Sequence, residues 1–140
     1  MKDDMKLHVD IVSAEGEIYS GHAAMVFAPA VMGEVGIAPR HAPLLTQLKP
    51  GAVRVRDENG KDESIFVNGG ILEVQPHHVT VMADSAERAA DIDEARAAEA
   101  KRAAEEALAN ASAKVDLARA QAELAEAAAR LHLVQKLKQR

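Results

Sequence analysis

Asp93 and Arg96 stand three positions apart in the run Ile92-Asp-Glu-Ala-Arg-Ala. On a helix that spacing puts both side chains on one face. Two chemistries suit the pair. They form a surface ion pair worth roughly 0.2–1 kcal/mol, or Arg96 meets a phosphate while Asp93 takes a ribose hydroxyl or an amino group. A second stretch of interest is Gly33-Glu-Val-Gly-Ile-Ala-Pro-Arg-His-Ala-Pro-Leu-Leu. A third is the C-terminal run, where Arg130, Lys136, Lys138 and Arg140 follow one another with no acid between them. Cations there complement a helix C-terminus, or they form a positive tip for an acidic partner surface.

Other residues promise less. Asn68-Gly-Gly resembles a phosphate loop, but no helical pattern follows it, so it reads as a hairpin turn. His77 and His78 are adjacent after Pro76; neighbouring strand residues point to opposite faces, which makes a poor chelate. His8, His22 and His132 are isolated along the chain, and no metal site is expected. The motifs G-x-x-x-x-G-K-[ST], G-x-G-x-x-G, H-E-x-x-H and G-x-S-x-G are all missing. Catalysis by this chain alone is not expected.

The elements that must position these residues divide the chain in two. Residues 86–140 hold no Gly and no Pro, although the chain has 8 Gly and 5 Pro. The segment is rich in Ala, Glu, Lys, Arg, Gln and Leu, the strong helix formers. Leu117, Ala120, Leu124, Ala127, Leu131 and Val134 recur at helical spacing, and Ala97, Ala100, Ala104 and Ala107 make a thinner stripe. Asn110-Ala-Ser-Ala separates the two stripes. The pattern predicts an antiparallel pair, helix 1 at about 91–109 and helix 2 at about 113–137, with a seam made mostly of methyl groups. Asp84-x-x-Glu87 and Asp91-x-x-Glu94 both resemble capping boxes. Asp91 is the preferred cap, because Ile92 begins the clearer helical run, and the residues between the two boxes read as a hinge.

Residues 1–85 read as strands: Lys6–Ser13, Glu17–Tyr19, Ala23–Ala28, Leu44–Leu48, Gly51–Arg56, Ser64–Val67, Ile71–Val74 and Val79–Ala83. Residues from Pro29 to Pro43 read as a loop. Asn59-Gly60 is a hairpin signal. The fold class is α+β in two parts: an antiparallel β-sandwich or flattened barrel over 1–85, with a core of Val, Ile, Leu, Met and the two Phe, then a two-helix hairpin over 86–140.

Composition narrows the function further. A formal net charge of −5 and only three aromatics give no nucleic-acid footprint. Zero cysteines exclude a disulfide framework and fit a reducing compartment. A polar N-terminus and the absence of a long apolar run lead to the expectation of an intracellular chain that spans no membrane.

Taken together, Leu7-His-Val-Asp-Ile-Val-Ser-Ala-Glu-Gly-Glu, the Gly33–Thr46 stretch, Lys49-Pro-Gly, Gly69-Gly-Ile-Leu-Glu-Val-Gln-Pro, Val79-Thr-Val-Met-Ala-Asp-Ser-Ala-Glu-Arg and the Ile92–Ala107 run resemble the epsilon subunit of bacterial-type F-type ATP synthase over nearly the full length. The resemblance implies a central-stalk rotor subunit on the cytoplasmic face of the bacterial membrane. Its sandwich would bind the gamma subunit and the c-subunit ring, with the loop spanning Glu34 and His41 near that ring. Its hairpin would lie folded or extend toward the alpha and beta subunits, and when extended inhibit ATP hydrolysis. Arg119, Arg130, Lys136 and Lys138 would face the beta subunit. The alternative is a structural adaptor whose hairpin stays docked and regulates nothing.

No cofactor is required by the resemblance, but ATP is implied as a regulatory ligand. The family's [I/L]-D-x-x-R-A motif is matched by Ile92, Asp93, Arg96 and Ala97, with Glu87 as accessory acid. A further Arg of that motif is Ala103 here, with Arg102 one position early, which implies weaker ATP affinity.

Overall fold

Alternation of apolar and polar residues gives most of the chain's first part its strands. The computed structural model describes residues 6–138. The strands are β1 (Leu7–Ser13), β2 (Gly16–Ala23), β3 (Met25–Ala30), β4 (Gly33–Ile37), β5 (Leu44–Leu48), β6 (Gly51–Arg56), β7 (Asp62–Val67), β8 (Gly70–Gln75), β9 (His78–Ala83) and β10 (Ala86–Arg88). They form one sheet in the order β10-β7-β6-β3-β5-β8-β9-β1-β2, with β4 on β3. All pairings are antiparallel except β1 with β9, which run parallel.

The sheet curls into a flattened, nearly closed barrel. Arg88 of β10 joins its two ends: its guanidinium donates to the Ile18 carbonyl of β2 at 2.9 Å and pairs with Glu63 of β7. Inside, Leu7, Val9 and Ile11 of β1 meet Val53, Ile65, Leu72, Val79 and Val81, all fully buried. Met25, Met32 and Met82 do not join this core as expected: Met25 is half-buried, Met32 is 93% exposed and Met82 43%. Aliphatic side chains fill the interior without them.

Three sequence expectations change here. The stretch read as loop from Pro29 contains β4, because Val35 and Ile37 alternate inward while Glu34 and Gly36 face out. The glycines masked that alternation. Gly33 holds a φ of 128° at the β3–β4 turn, and Gly36 lies where a Cβ would sit 3.4 Å from the Phe27 ring. Asn68-Gly-Gly is not a hairpin turn, since β7 and β8 do not pair; it crosses from one part of the sheet to another. The third change concerns Ala86–Arg88, expected to open the helical segment or to hinge. These residues pair with Val67, Phe66 and Ile65 of β7. The edge of β7 offers unpaired backbone groups, and a short strand covers them.

The Asn59-Gly60 hairpin forms as read. Gly60 takes a φ of 81°, and the Asp57 carboxylate accepts from the backbone N–H groups of Asn59 and Lys61, both at 2.9 Å.

The chain divides into two compact units between Ala90 and Asp91. In the second, α1 spans Glu94–Ala109 and α2 spans Lys114–Lys138. They run antiparallel: Lys138 near the end of α2 pairs with Glu94 at the start of α1. Asp91 is not the helix cap. It closes a 3-10 turn over Ala89–Asp91, and Asp93 caps α1 instead, its carboxylate accepting from the Arg96 N–H at 3.1 Å. Buried positions on α1 are Ala97 and Ala104 only, and those on α2 include Ala120, Ala127, Leu131 and Val134. Ala100, Ala107 and Leu117 of the expected stripes are exposed, so the seam is narrower than the stripes suggest.

Candidate functional site

The geometry of the Asp93–Arg96 pair decides between the two chemistries proposed for it in one respect. No side-chain ion pair links the two residues; the Asp93 carboxylate is bonded to the Arg96 backbone instead. An extended backbone at Asp93 (φ −84°, ψ 117°) turns its carboxylate onto the first helical turn, satisfying a donor that the helix leaves open. The Arg96 side chain is exposed, Ile92 is half-buried and Ala97 is buried. Glu87 belongs to β10, in the sheet unit, opposite Phe66. Arg102, the displaced arginine, is held on its own helix by Glu99 at 2.5 Å and Glu106 at 2.9 Å. Its hydrogen bond holds the Glu99 carboxyl below the usual carboxylate range.

Glu34 and His41 are not brought together by any recorded contact. Glu34 lies on β4, where Arg54 of β6 donates to it at 3.3 Å. Arg54 also bonds Asp62 at 3.0 Å and lies 4.2 Å from the centre of the Phe27 ring. His41 lies beyond the strand's end, in a turn where Arg40 takes a φ of 67° and its N–H donates to the Pro76 carbonyl at 2.7 Å.

The basic residues of α2 do not form one tip. Arg119 lies in the second turn, seventeen residues before Lys136, a separation of about 25 Å along the axis. Arg130 donates to Glu126 at 3.1 Å, and Lys138 is paired with Glu94. Arg119, Lys136 and Lys138 are exposed, and Arg130 is half-buried. Arg140 lies outside the described residues.

One grouping escaped the sequence reading. His8 and His22 are isolated along the chain, but not across the sheet. Register sets His22, His8 and His78 side by side on β2, β1 and β9, with Ser20 and Asp10 in the next row. Because Leu7, Val9 and Ile11 point into the core, these residues all face outward. Asp10 receives a hydrogen bond from Ser20 at 2.7 Å and bonds the His78 ring at 2.9 Å and the His8 ring at 3.2 Å. The Ser20 bond is the main reason that the Asp10 carboxyl lies below its usual range, against the opposing effect of burial. The signal was the His8-x-Asp10 alternation, but its partners come from strands that only the folded topology brings alongside.

Comparison with known proteins bears on all of these residues. Residues 6–89 match the model for the ATP synthase delta/epsilon chain β-sandwich domain, and residues 90–135 match that for the delta/epsilon long α-helix domain. This chain belongs to the ATP synthase delta/epsilon family. The ATP synthase epsilon chain of Alkalilimnicola ehrlichii is 63% identical over 134 residues, covering 96% of each chain. That of Nitrosococcus oceani is 61% identical over 136 residues, covering 97% of each. Among solved structures, a chain of the Euglena gracilis mitochondrial ATP synthase (OSCP/F1/c-ring in rotational state 1) shares the fold at a TM-score of 0.79. It is 18% identical, and the match covers 97% of this chain and 82% of that one. As a member of the delta/epsilon family the chain is a central-stalk subunit of F-type ATP synthase, the complex from which ATP synthesis and proton transport follow. Among the described residues, no helix is long and apolar enough to cross a membrane.

Proposed function

We propose that this delta/epsilon subunit couples rotation of a c-subunit ring to ATP synthesis through its sheet unit, and restrains ATP hydrolysis through its helical unit. The observation that carries the second role is the thinness of the α1 seam. Of sixteen residues in α1, only Ala97 and Ala104 are buried. A buried methyl contributes about 0.8 kcal/mol, against about 1.5–3 for a full Leu side chain. A helix fastened so lightly moves when a partner offers better contacts.

For the sheet unit, exposed apolar side chains support the contacts. Leu45, Ile71 and Met82 are 68%, 42% and 43% exposed on the neighbouring strands β5, β8 and β9, a surface suited to gamma. Val31 and Met32, 49% and 93% exposed at the β3–β4 turn, sit beside Glu34 and suit the c ring, as does the turn holding His41. On this reading Arg119, Arg130, Lys136 and Lys138 meet the beta subunit once the arm extends, which releases Lys138 from Glu94. The complex would sit with this subunit on the cytoplasmic face of a bacterial membrane, peripheral to it, and the subunit itself would perform no catalysis.

ATP is the proposed regulatory ligand, taken by Glu87, Ile92, Asp93, Arg96 and Ala97. At a thousand times its Kd it stabilises the form that binds it by about 4 kcal/mol, comparable to what a methyl seam supplies. Calorimetric titration of the chain with ATP should show saturable binding that Arg96→Ala abolishes. Asp93→Asn is the better acid variant, because it keeps the helix cap.

The decisive experiment removes residues 91–140 and leaves β10 in place. Hydrolysis by the assembled complex should rise while the sheet unit still joins the stalk. Hydrolysis unaltered by the deletion rejects the inhibitory role and leaves the adaptor reading.

A further inference from the structure

The outward face of β2, β1 and β9 gathers imidazoles and a carboxylate with no part in the contacts proposed above. His8 Nε2, His78 Nε2 and a carboxylate oxygen of Asp10 lie within 4.8 Å of one another. We propose that His8, Asp10 and His78 form a binding site for a divalent first-row transition ion of the zinc class.

Donor chemistry selects the ion. Two imidazole nitrogens and one carboxylate oxygen suit zinc and its neighbours, whereas magnesium and calcium take oxygen ligands. Spacing agrees as well. Tetrahedral zinc with bonds of about 2.0–2.2 Å holds its ligand atoms about 3.3–3.6 Å apart. Asp10 Oδ2 lies 2.9 Å from His78 Nε2 and Asp10 Oδ1 3.2 Å from His8 Nε2, so each carboxylate–imidazole distance falls within a few tenths of an ångström of that spacing.

The sheet supports the tripod. His8 and His78 are directly opposed in the parallel β1–β9 ladder, and their rings meet edge to face at 4.8 Å between centres. Ser20 fixes the carboxylate from β2 at 2.7 Å, as outer partners fix metal ligands elsewhere. The side chains of His8, Asp10 and His78 are 38%, 27% and 45% exposed, so an ion enters from solvent and water completes its shell. On the far side of His8, the His22 ring stands 5.3 Å away, centre to centre. Lys6, two residues before His8, directs its ammonium onto Glu58 at 2.8 Å. An ion here would brace β9 to β1 and, through Ser20, to β2, the edge strand.

The test uses the full chain and zinc chloride as the probe. Calorimetry should give one ion per chain, with His78→Gln and Asp10→Asn each weakening binding at least tenfold and His132→Gln, on α2, leaving it unchanged. Zinc should raise the melting midpoint of the native chain and of His132→Gln, but not of the two ligand variants. The melt without zinc shows that each variant folds. Absence of saturable binding overturns the proposal, and so does affinity or a zinc-induced rise shared by all four proteins.

Discussion

The sheet unit and the helical unit hold their shapes by opposite means. In the sheet unit, ten strands share one aliphatic interior in which Leu7, Val9, Ile11, Ile65 and Leu72 are fully shielded from water. Hydrogen bonds join residues far apart in sequence, and Arg88 ties the tenth strand to the second. The helical unit satisfies its backbone locally and buries mainly alanine along α1. One unit depends on long-range packing, and the other on helix propensity and a methyl seam. It is on this difference that the proposed division of labour rests, a fixed coupling in the sheet unit and a responsive arm in the helical one. It predicts that the same kind of lesion will have very different reach in the two units.

The largest effect belongs to Gly70. Its φ is 120°, and an added Cβ would sit 2.2 Å from the Met82 carbonyl oxygen and 2.7 Å from the Ala83 Cα. Backbone atoms cannot yield that distance without separating β8 from β9. Gly70→Ala should therefore cost on the order of 4 kcal/mol or more, read as loss of the sheet unit's unfolding transition in urea. A variant that unfolds at the native midpoint would remove the claim that the sheet unit tolerates no local give.

Asp62 gives the next effect, and one that depends on pH. Its side chain is 7% exposed and takes Arg56 at 2.7 Å and Arg54 at 3.0 Å. The Arg56 hydrogen bond chiefly holds its carboxyl below the usual range. A group depressed on folding stabilises the protein above its unfolded pKa, about 3.9 for Asp, and loses that contribution as pH falls through the lower folded value. Asp62→Asn should thus cost roughly 1.5–3 kcal/mol at pH 7. The gap to the native protein should narrow below about pH 4 and close once the native carboxyl is protonated. Chemical denaturation across that range checks it, and a gap independent of pH would contradict the charge assignment.

A smaller effect sharpens the comparison from the helical side. Asp93→Ala removes the α1 cap and should cost roughly 0.5–2 kcal/mol. Asp91→Ala, in the 3-10 turn, should stay within about 0.5 kcal/mol. Hydrogen exchange should show faster opening of α1 in the first variant, while the amides of β1 and β9 keep their protection. Equal losses for both aspartates would return the cap to Asp91.

Much of this was legible in the sequence, and the exceptions share a cause. Local patterns survived: alternation marked β1, β6 and β9, Asn59-Gly60 marked its hairpin, and the Gly- and Pro-free segment marked the helices. Readings that needed a partner strand did not survive. β4 was hidden because two of its five residues are Gly, and its alternation needs β3 beside it to bury Val35 and Ile37. β10 looks like a helix start, because Ala-Glu-Arg favours helix locally and only the open edge of β7 makes it a strand. Of the two tandem capping boxes Asp91 was preferred, but a 3-10 turn takes up Ala89–Asp91 and moves the cap to Asp93. The His8–Asp10–His78 grouping escaped for the same reason, since seventy residues separate His8 from His78 and only the parallel pairing makes them neighbours. At Ile92–Ala97 the sequence offers contiguous candidates for a ligand, but it did not reveal that the Asp93 carboxylate is bonded to the backbone.

The parallel pairing of β1 with β9 also sets an order of events at the ribosome. The first strand made is the last but one to find its place, because its neighbour is completed only at Ala83. Until then β1 and β2 form a two-strand ribbon, which is marginal in water, and their apolar side waits uncovered. Contacts between chain ends slow folding, and an exposed ribbon invites association with other nascent chains. By the time the barrel can shut, the ribosome has reached the helical segment, whose turns need no distant partner to begin winding.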